Sequence, residues 1–179
     1  MQHPLFVVPE GARARVSWAL VGLTLALAAW LAAIDGVLRG PGSEGGIVGY
    51  ELCGDVDACA AQLTAMHARG ASETLAFSLG LDYLFLVAYS TAIAAVLVFA
   101  GARLGTPWAK LVGGIAWAQW GAALLDAIEN FALWQMLQHG ASDPWPSIAT
   151  VCAVPKFAIV GLGLLTAIAL LITRVATRS

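Results

Sequence analysis

Four long apolar stretches restrict the fold of this chain more than any other feature of its sequence. They cover about residues 16–37, 75–100, 111–137 and 147–172. A helix needs about 20 mostly apolar residues to cross the hydrocarbon layer of a bilayer. Each stretch is rich in Leu and Ala, which form helices readily. The sequence therefore predicts an all-α integral membrane protein, in which residues 1–179 form one four-helix bundle.

The composition agrees with a membrane environment. Hydrophobic residues make up 60% of the chain and charged residues only 11%, with a mean hydropathy of +0.81. A soluble domain carries about 25% charged residues, so this chain has too few charges to cover a water-exposed surface. The formal net charge is −2, and nucleic acid is not an expected partner without a basic surface. Membrane lipids are the expected partners.

Several enzyme classes lack their motifs here. The three cysteines form no C-x-x-C pair, and the three histidines all fall outside the apolar stretches. The sequence also contains no G-x-x-x-x-G-K phosphate loop. These absences argue against zinc sites, haem held by helix histidines and nucleotide hydrolysis, and they leave the cofactor unassigned.

The distribution of Lys and Arg predicts the orientation. One side of the predicted bundle is flanked by six basic residues: Arg13, Arg15, Arg103, Lys110, Arg174 and Arg178. The other side has only Arg39 and Arg69. Since basic residues accumulate in cytoplasmic segments, we expect both termini in the cytoplasm and an outer loop over about residues 38–74.

The predicted outer loop begins glycine-rich and then contains a helix pattern over about residues 56–69. Asp55 is its N-cap candidate and Gly70 its C-terminal stop. This helix could lie on the membrane surface or cover the bundle, or the loop could be a simple connector with no role in function. Cys53 and Cys59 lie on the oxidising side in this topology, so we predict a disulfide between them that fixes the loop helix.

Ionisable residues inside the apolar stretches are the candidate functional site. Polar groups in spanning helices are costly and usually face the bundle interior. At about 1.5 Å per residue, the charged groups all lie about 10–18 Å below the outer ends of their helices. The predicted ligand-binding residues are Asp82, Tyr89, Asp126, Glu129, Asn130 and Lys156.

The charge of this layer suggests two interpretations. Three carboxylates and one ammonium would sum to −2 if all were ionised, and uncompensated buried charge usually shifts its pKa or finds a counter-ion. A proton, a metal ion, or a cationic or amphipathic ligand could supply the missing charge. Alternatively, the same groups could form a hydrogen-bonded cluster that only stabilises helix packing.

The two polar segments and the lysine also resemble known proteins in a general way. Residues 81–85, residues 126–130 and Lys156 resemble small bacterial four-helix membrane proteins of uncharacterised function. That resemblance implies a multi-pass protein of a bacterial inner membrane and carries no activity.

Three functions are compatible with these observations. The first is a protein that binds or moves a small cationic, amphipathic or lipid-like ligand through the acidic layer in the outer half of the bilayer. The second is an intramembrane enzyme acting on a lipid or prenyl substrate, with an acid–base role for Asp82 or Asp126. The third is an accessory subunit of a larger membrane complex, or a homo-oligomer, in which the charges only stabilise packing.

Overall fold

A computed structural model describes residues 3–102 and 104–176, and within these ranges the chain is all helical. A short 3-10 helix (Pro4–Val7) is followed by six α-helices. They are α1 (Glu10–Leu38), α2 (Gly46–Glu51), α3 (Val56–Ala68), α4 (Ser72–Gly101), α5 (Thr106–His139) and α6 (Trp145–Ala176). Four of them, α1, α4, α5 and α6, are long and apolar enough to cross a membrane. The prediction of an all-helical chain with four candidate membrane-spanning helices is confirmed.

The long helices extend beyond the apolar stretches that predict them. α1 begins at Glu10 rather than near residue 16, and α5 begins at Thr106 rather than near residue 111. Apolar residues report where hydrocarbon begins, whereas a helix ends where its backbone hydrogen bonds find other partners. Helical turns therefore continue past the apolar segment at most ends.

The four spanning helices differ in how much of their surface other helices cover. In the most apolar window of α4, 61% of the residues are buried, whereas in α1 only 11% are. Their mean hydropathies, 2.2 and 1.9, are nevertheless similar. Leu and Ala are equally stable against lipid and against another helix, so hydropathy does not distinguish a central helix from a lipid-facing one.

The chain divides into two compact units. The disulfide unit comprises Ala26–Leu86 and Leu124–Pro155, and the terminal unit comprises Met1–Leu25, Val87–Ala123 and Lys156–Ser179. Each of the four long helices contributes one part to each unit.

In the disulfide unit, the segment between α1 and α4 is a packed element. Its side chains join a buried cluster with residues of the long helices: Leu38, Tyr50, Cys59, Leu63, Met66, Ala71, Leu75, Leu79, Ala132, Leu133, Met136 and Ala149. The Tyr50 hydroxyl donates to the carbonyl of Leu133 at 3.4 Å, and burial raises the Tyr50 pKa above its ordinary value. The Thr150 hydroxyl donates to the carbonyl of Glu51 at 3.1 Å. The segment is therefore packed against the long helices of this unit.

Within this segment, the local signals for α3 are present as predicted. The Asp55 side chain accepts from the backbone N–H of Ala58 at 2.8 Å, and Gly70 has φ +71° directly after the helix. These are the N-cap and glycine stop of an ordinary helix. By contrast, the sequence pattern does not predict α2, because Gly45 and Gly46 are typical of a turn.

Candidate intramembrane site

Asp82 of α4 and Asn130 of α5 form the centre of the candidate site. The Asn130 amide nitrogen donates to a carboxylate oxygen of Asp82 through a short hydrogen bond. Asn130 is 1% exposed, whereas Asp82 is only partly buried and keeps accessible surface. The bond thus joins two predicted site residues on neighbouring helices.

A second polar contact joins the same two helices close to this pair. The Tyr83 hydroxyl donates to the carbonyl of Ala127 at 3.1 Å. The Tyr83 side chain is 43% exposed. Two hydrogen bonds at consecutive positions of α4 therefore fix its register against α5, and one of them lies at the accessible surface.

Asp126 and Glu129 lie on the same buried side of α5 as Asn130. Their exposures are 3% and 0%. Spacings of three and four residues place side chains on one face of a helix, and the buried residues Leu133 and Met136 continue this face. Four of the six predicted ligand-binding residues, including Asp82, thus belong to the disulfide unit.

Tyr89 and Lys156 belong to the terminal unit. Tyr89 is 6% exposed, and so is Lys156. The Lys156 ammonium lies 4.6 Å from the centroid of the Phe157 ring, a distance typical of a cation–π contact. That Lys156 also meets one of the carboxylates stays a prediction.

A disulfide joins Cys53 and Cys59, whose Cα atoms are 5.1 Å apart. Cys59 lies in the first turn of α3, and Gly54 adopts φ +78° in the intervening turn. The positive φ is accessible to glycine without strain and lets the chain return to Cys53. The third cysteine, Cys152, is reduced and buried.

Asp35 has a structural role that the sequence interpretation missed. Asp35 lies three residues before the end of α1, where an acidic residue is usually exposed, yet its side chain is buried. One carboxylate oxygen accepts from the backbone N–H of Ile47 at 2.7 Å, and the other accepts from Arg39 Nε at 2.6 Å. Asp35 thereby provides an acceptor for a backbone N–H group in the first turn of α2, which has no partner within the helix. This contact explains why the glycine-rich segment is helical.

The neighbouring backbone is built around this carboxylate. Gly46 has φ +59°, and a Cβ atom at this position would lie 2.2 Å from an Asp35 oxygen. Arg69 completes the arrangement by donating to the carbonyls of Leu38 at 2.8 Å and Pro41 at 3.0 Å. Asp35 and Arg69 therefore stabilise the segment between α1 and α4.

In the terminal unit, Gln119 is a second polar residue whose role the sequence does not reveal. It is fully buried, and its amide nitrogen donates to the carbonyl of Ile159 at 3.1 Å. A Cβ atom on Gly163 would lie 2.4 Å from the same nitrogen. Gly163 thus provides the space that lets a polar side chain of α5 bond to the backbone of α6.

Groups of three or more His, Cys, Asp or Glu side chains that could hold a metal ion are absent from the part of the chain that the structure describes. Comparison with family models, with curated proteins and with solved structures finds no match for this chain. Its function must be argued from its own residues.

Proposed function

We propose that this protein binds or moves a small cationic or amphipathic, lipid-like ligand through the acidic site on α4 and α5. The observation that carries the proposal is the Asp82–Asn130 bond, in which Asn130 is buried and Asp82 keeps accessible surface. A partly buried acidic residue within a spanning helix, bonded to a buried amide of the neighbouring helix, is suited to bind a positively charged head group.

The surface beside Asp82 suits a ligand that arrives through the lipid. Four large apolar or aromatic side chains of the same unit are between 42% and 51% exposed: Tyr83, Leu84, Ile128 and Phe131. In a bilayer these side chains contact acyl chains. An amphiphile could pack its tail on them while its head group reaches Asp82, as lateral entry from the membrane requires.

We place the site in the outer half of the membrane, with both termini in the cytoplasm, and expect the membrane to be a bacterial inner membrane. The six-to-two distribution of basic residues supports this orientation. The Cys53–Cys59 disulfide supports it independently, because such bonds persist in oxidising compartments. A reporter enzyme that works only in the cytoplasm should be active when it is fused after Ser179. Export of the C-terminus would overturn the orientation.

The binding site is tested with two probes that share a tail and differ in charge. Dodecyltrimethylammonium and dodecyl sulfate would be titrated into the protein in lipid nanodiscs. We expect the cation to bind more tightly than the anion, and Asp82→Asn to weaken the cation at least about tenfold, or 1.4 kcal/mol. Glu73→Gln is the matched control, since it removes an exposed carboxylate from the first turn of the same helix.

The outcomes separate the three functions. Equal binding of both probes, or cation binding that survives Asp82→Asn, would overturn the proposed site. Absence of binding together with co-purification of larger subunits would favour an accessory subunit or an oligomer. Chemical turnover of an added lipid or prenyl substrate that depends on Asp82 or Asp126 would favour the enzyme.

A further inference from the structure

The segment before α1 packs against the other helices of the terminal unit. We name residues 3–8 the N-terminal strap. His3 is 3% exposed, although it lies outside every spanning helix. Its ring centroid is 4.9 Å from that of Trp117 and 4.7 Å from that of Trp120, both on α5. A polar ring is seldom buried this completely without specific neighbours, so the burial of His3 between two indoles is a specific placement.

The strap has a second point of attachment at Phe6. This ring lines an apolar niche formed by the end of α4 and the start of α5, where its neighbours are Leu97, Val98, Gly101, Ala102, Ala109, Val112 and Gly113. Phe6 therefore lies beside the first turns of α5, and His3 lies one to two turns farther along the same helix. The strap follows α5 with its N-terminal end pointing away from Thr106.

Arg13 of α1 provides the third attachment. Its guanidinium lies 5.8 Å from the Phe6 ring centroid and 5.5 Å from that of Phe99, and its Nε donates to the carbonyl of Val8 at 3.2 Å. Glu10 pairs with the same guanidinium at 3.2 Å. These contacts position the base of the strap without involving the His3 ring.

The His3 ring must be neutral in this arrangement. Its Nδ1 accepts from the backbone N–H of Leu5 at 3.3 Å, which caps the 3-10 helix. An imidazolium carries a proton on both nitrogens and cannot accept. The groups that α5 places against His3 are two indoles and the Ala116 carbonyl, none of which titrates. The charged groups at the strap, Arg13 and Glu10, pair with each other on α1.

We propose that the N-terminal strap is a pH-sensitive cover of α5, which stays docked while His3 is neutral and is released when His3 is protonated. Release would uncover Trp117 and Trp120, and it would remove Phe6 from the wall of the niche. The inference is independent of the ligand proposed for Asp82, because it concerns only residues of the terminal unit.

The direction of the pH effect follows from burial. Loss of hydration lowers the pKa of docked His3 below its ordinary value, and the Ala116 carbonyl acts in the opposite direction with a smaller effect. A released strap has the ordinary histidine pKa of about 6.5. Docking is therefore fully stable above that pH and weakens as the pH falls towards the lowered value. Each unit between the two pKa values changes the docked-to-released ratio by up to about tenfold.

The test measures the position of the strap by double electron–electron resonance. Spin labels would be attached through Val7→Cys and Trp108→Cys, which replace side chains that are 87% and 64% exposed. The background is Cys152→Ala with the native disulfide intact. At about pH 8 we expect one narrow distance, and at about pH 5 a second, longer and broader component, on either side of the ordinary histidine pKa.

Two neutral replacements and one control decide the origin of the response. His3→Phe and His3→Gln should each abolish the pH dependence, whether the strap then stays docked or stays released. His67→Gln removes an exposed histidine of α3 and should leave the response unchanged. The proposal is overturned if the native sequence gives the same distances at both pH values, or if either His3 variant still responds to pH.

Discussion

The disulfide unit and the terminal unit differ in the charges that they contain. Over the full sequence, the disulfide unit has ten Asp and Glu against two Arg, whereas the terminal unit has one Glu against seven Lys and Arg. Their formal charges of −8 and +6 account for the net −2 of the chain. A nearly neutral protein is thus built from an acidic and a basic unit.

The two units also treat buried polar groups differently. In the disulfide unit, buried polar groups are mostly acids, and Asp35 and Asp82 accept hydrogen bonds from identified partners. In the terminal unit, Gln119 and His3 are neutral groups that bond to or pack against uncharged neighbours. Buried acids are therefore characteristic of the disulfide unit and buried neutral groups of the terminal unit, with Lys156 as the exception.

The largest expected effect tests the prediction that Lys156 pairs with one of the acidic residues. Removing one partner of a buried ion pair costs about 3–5 kcal/mol, because the other charge is left without compensation. We expect Lys156→Met alone to lower the free energy of unfolding in mixed micelles by this order. If Lys156 pairs with an acid as predicted, combining Lys156→Met with the change at that acid should restore part of the loss.

The partner is found by double-mutant cycles between Lys156→Met and each of Asp82→Asn, Asp126→Asn and Glu129→Gln. A coupling free energy well above about 0.5 kcal/mol in one cycle would identify it. Strict additivity in all three cycles would show that Lys156 is independent of the acids and that the prediction of one charged layer is wrong.

The next effect concerns the disulfide. Closing so short a loop restricts the unfolded chain and stabilises the native state by about 2 kcal/mol. The double variant Cys53→Ser with Cys59→Ser should lower the free energy of unfolding by this amount, while Cys152→Ala should not reproduce the loss. Thiol labelling of native, non-reduced protein should leave both cysteines unmodified. Equal labelling of the two would contradict the bond.

A similar or smaller loss is expected at Asp35. Asp35→Asn removes the charge that binds Arg39 and weakens the bond to Ile47 N–H, at a cost of about 1–3 kcal/mol. Hydrogen exchange of the Ile47 amide should accelerate most, since α2 depends on this acceptor. Asp57→Asn removes an exposed acid of α3 and serves as the control. Unchanged hydrogen exchange in α2 would show that Asp35 does not stabilise this helix.

The smallest expected effect concerns the contact between Gly163 and Gln119 in the terminal unit. Gly163→Ala should displace the Gln119 amide and weaken its bond to Ile159, at a net cost of about 1 kcal/mol. Gly161→Ala is a matched control in the same helix, because a Cβ atom there meets nothing within 4 Å. The difference in unfolding free energy between the two variants isolates the contact. If both variants are equally stable, Gln119 does not depend on Gly163.

Much of the fold could be predicted from local pattern. The four spans follow from apolar length, and α3 follows from an N-cap and a glycine stop in the expected places. The candidate site could be predicted in part from the sequence. Helical spacing placed Asp126, Glu129 and Asn130 on one face, and polar residues in apolar helices are expected to be buried. The bond between Asp82 and Asn130 could not be predicted, because it depends on the register of α4 against α5.

Local composition alone predicts a membrane protein, its four candidate spanning helices and the segregation of acidic from basic residues. Tertiary structure decided which helix is buried, that Asp35 supports α2, that Gln119 bonds across to α6, and that His3 lies between two indoles. Each of these outcomes needs residues that are distant in sequence to meet. An apolar helix has the same hydropathy whether its neighbour is lipid or protein, so only packing could decide them.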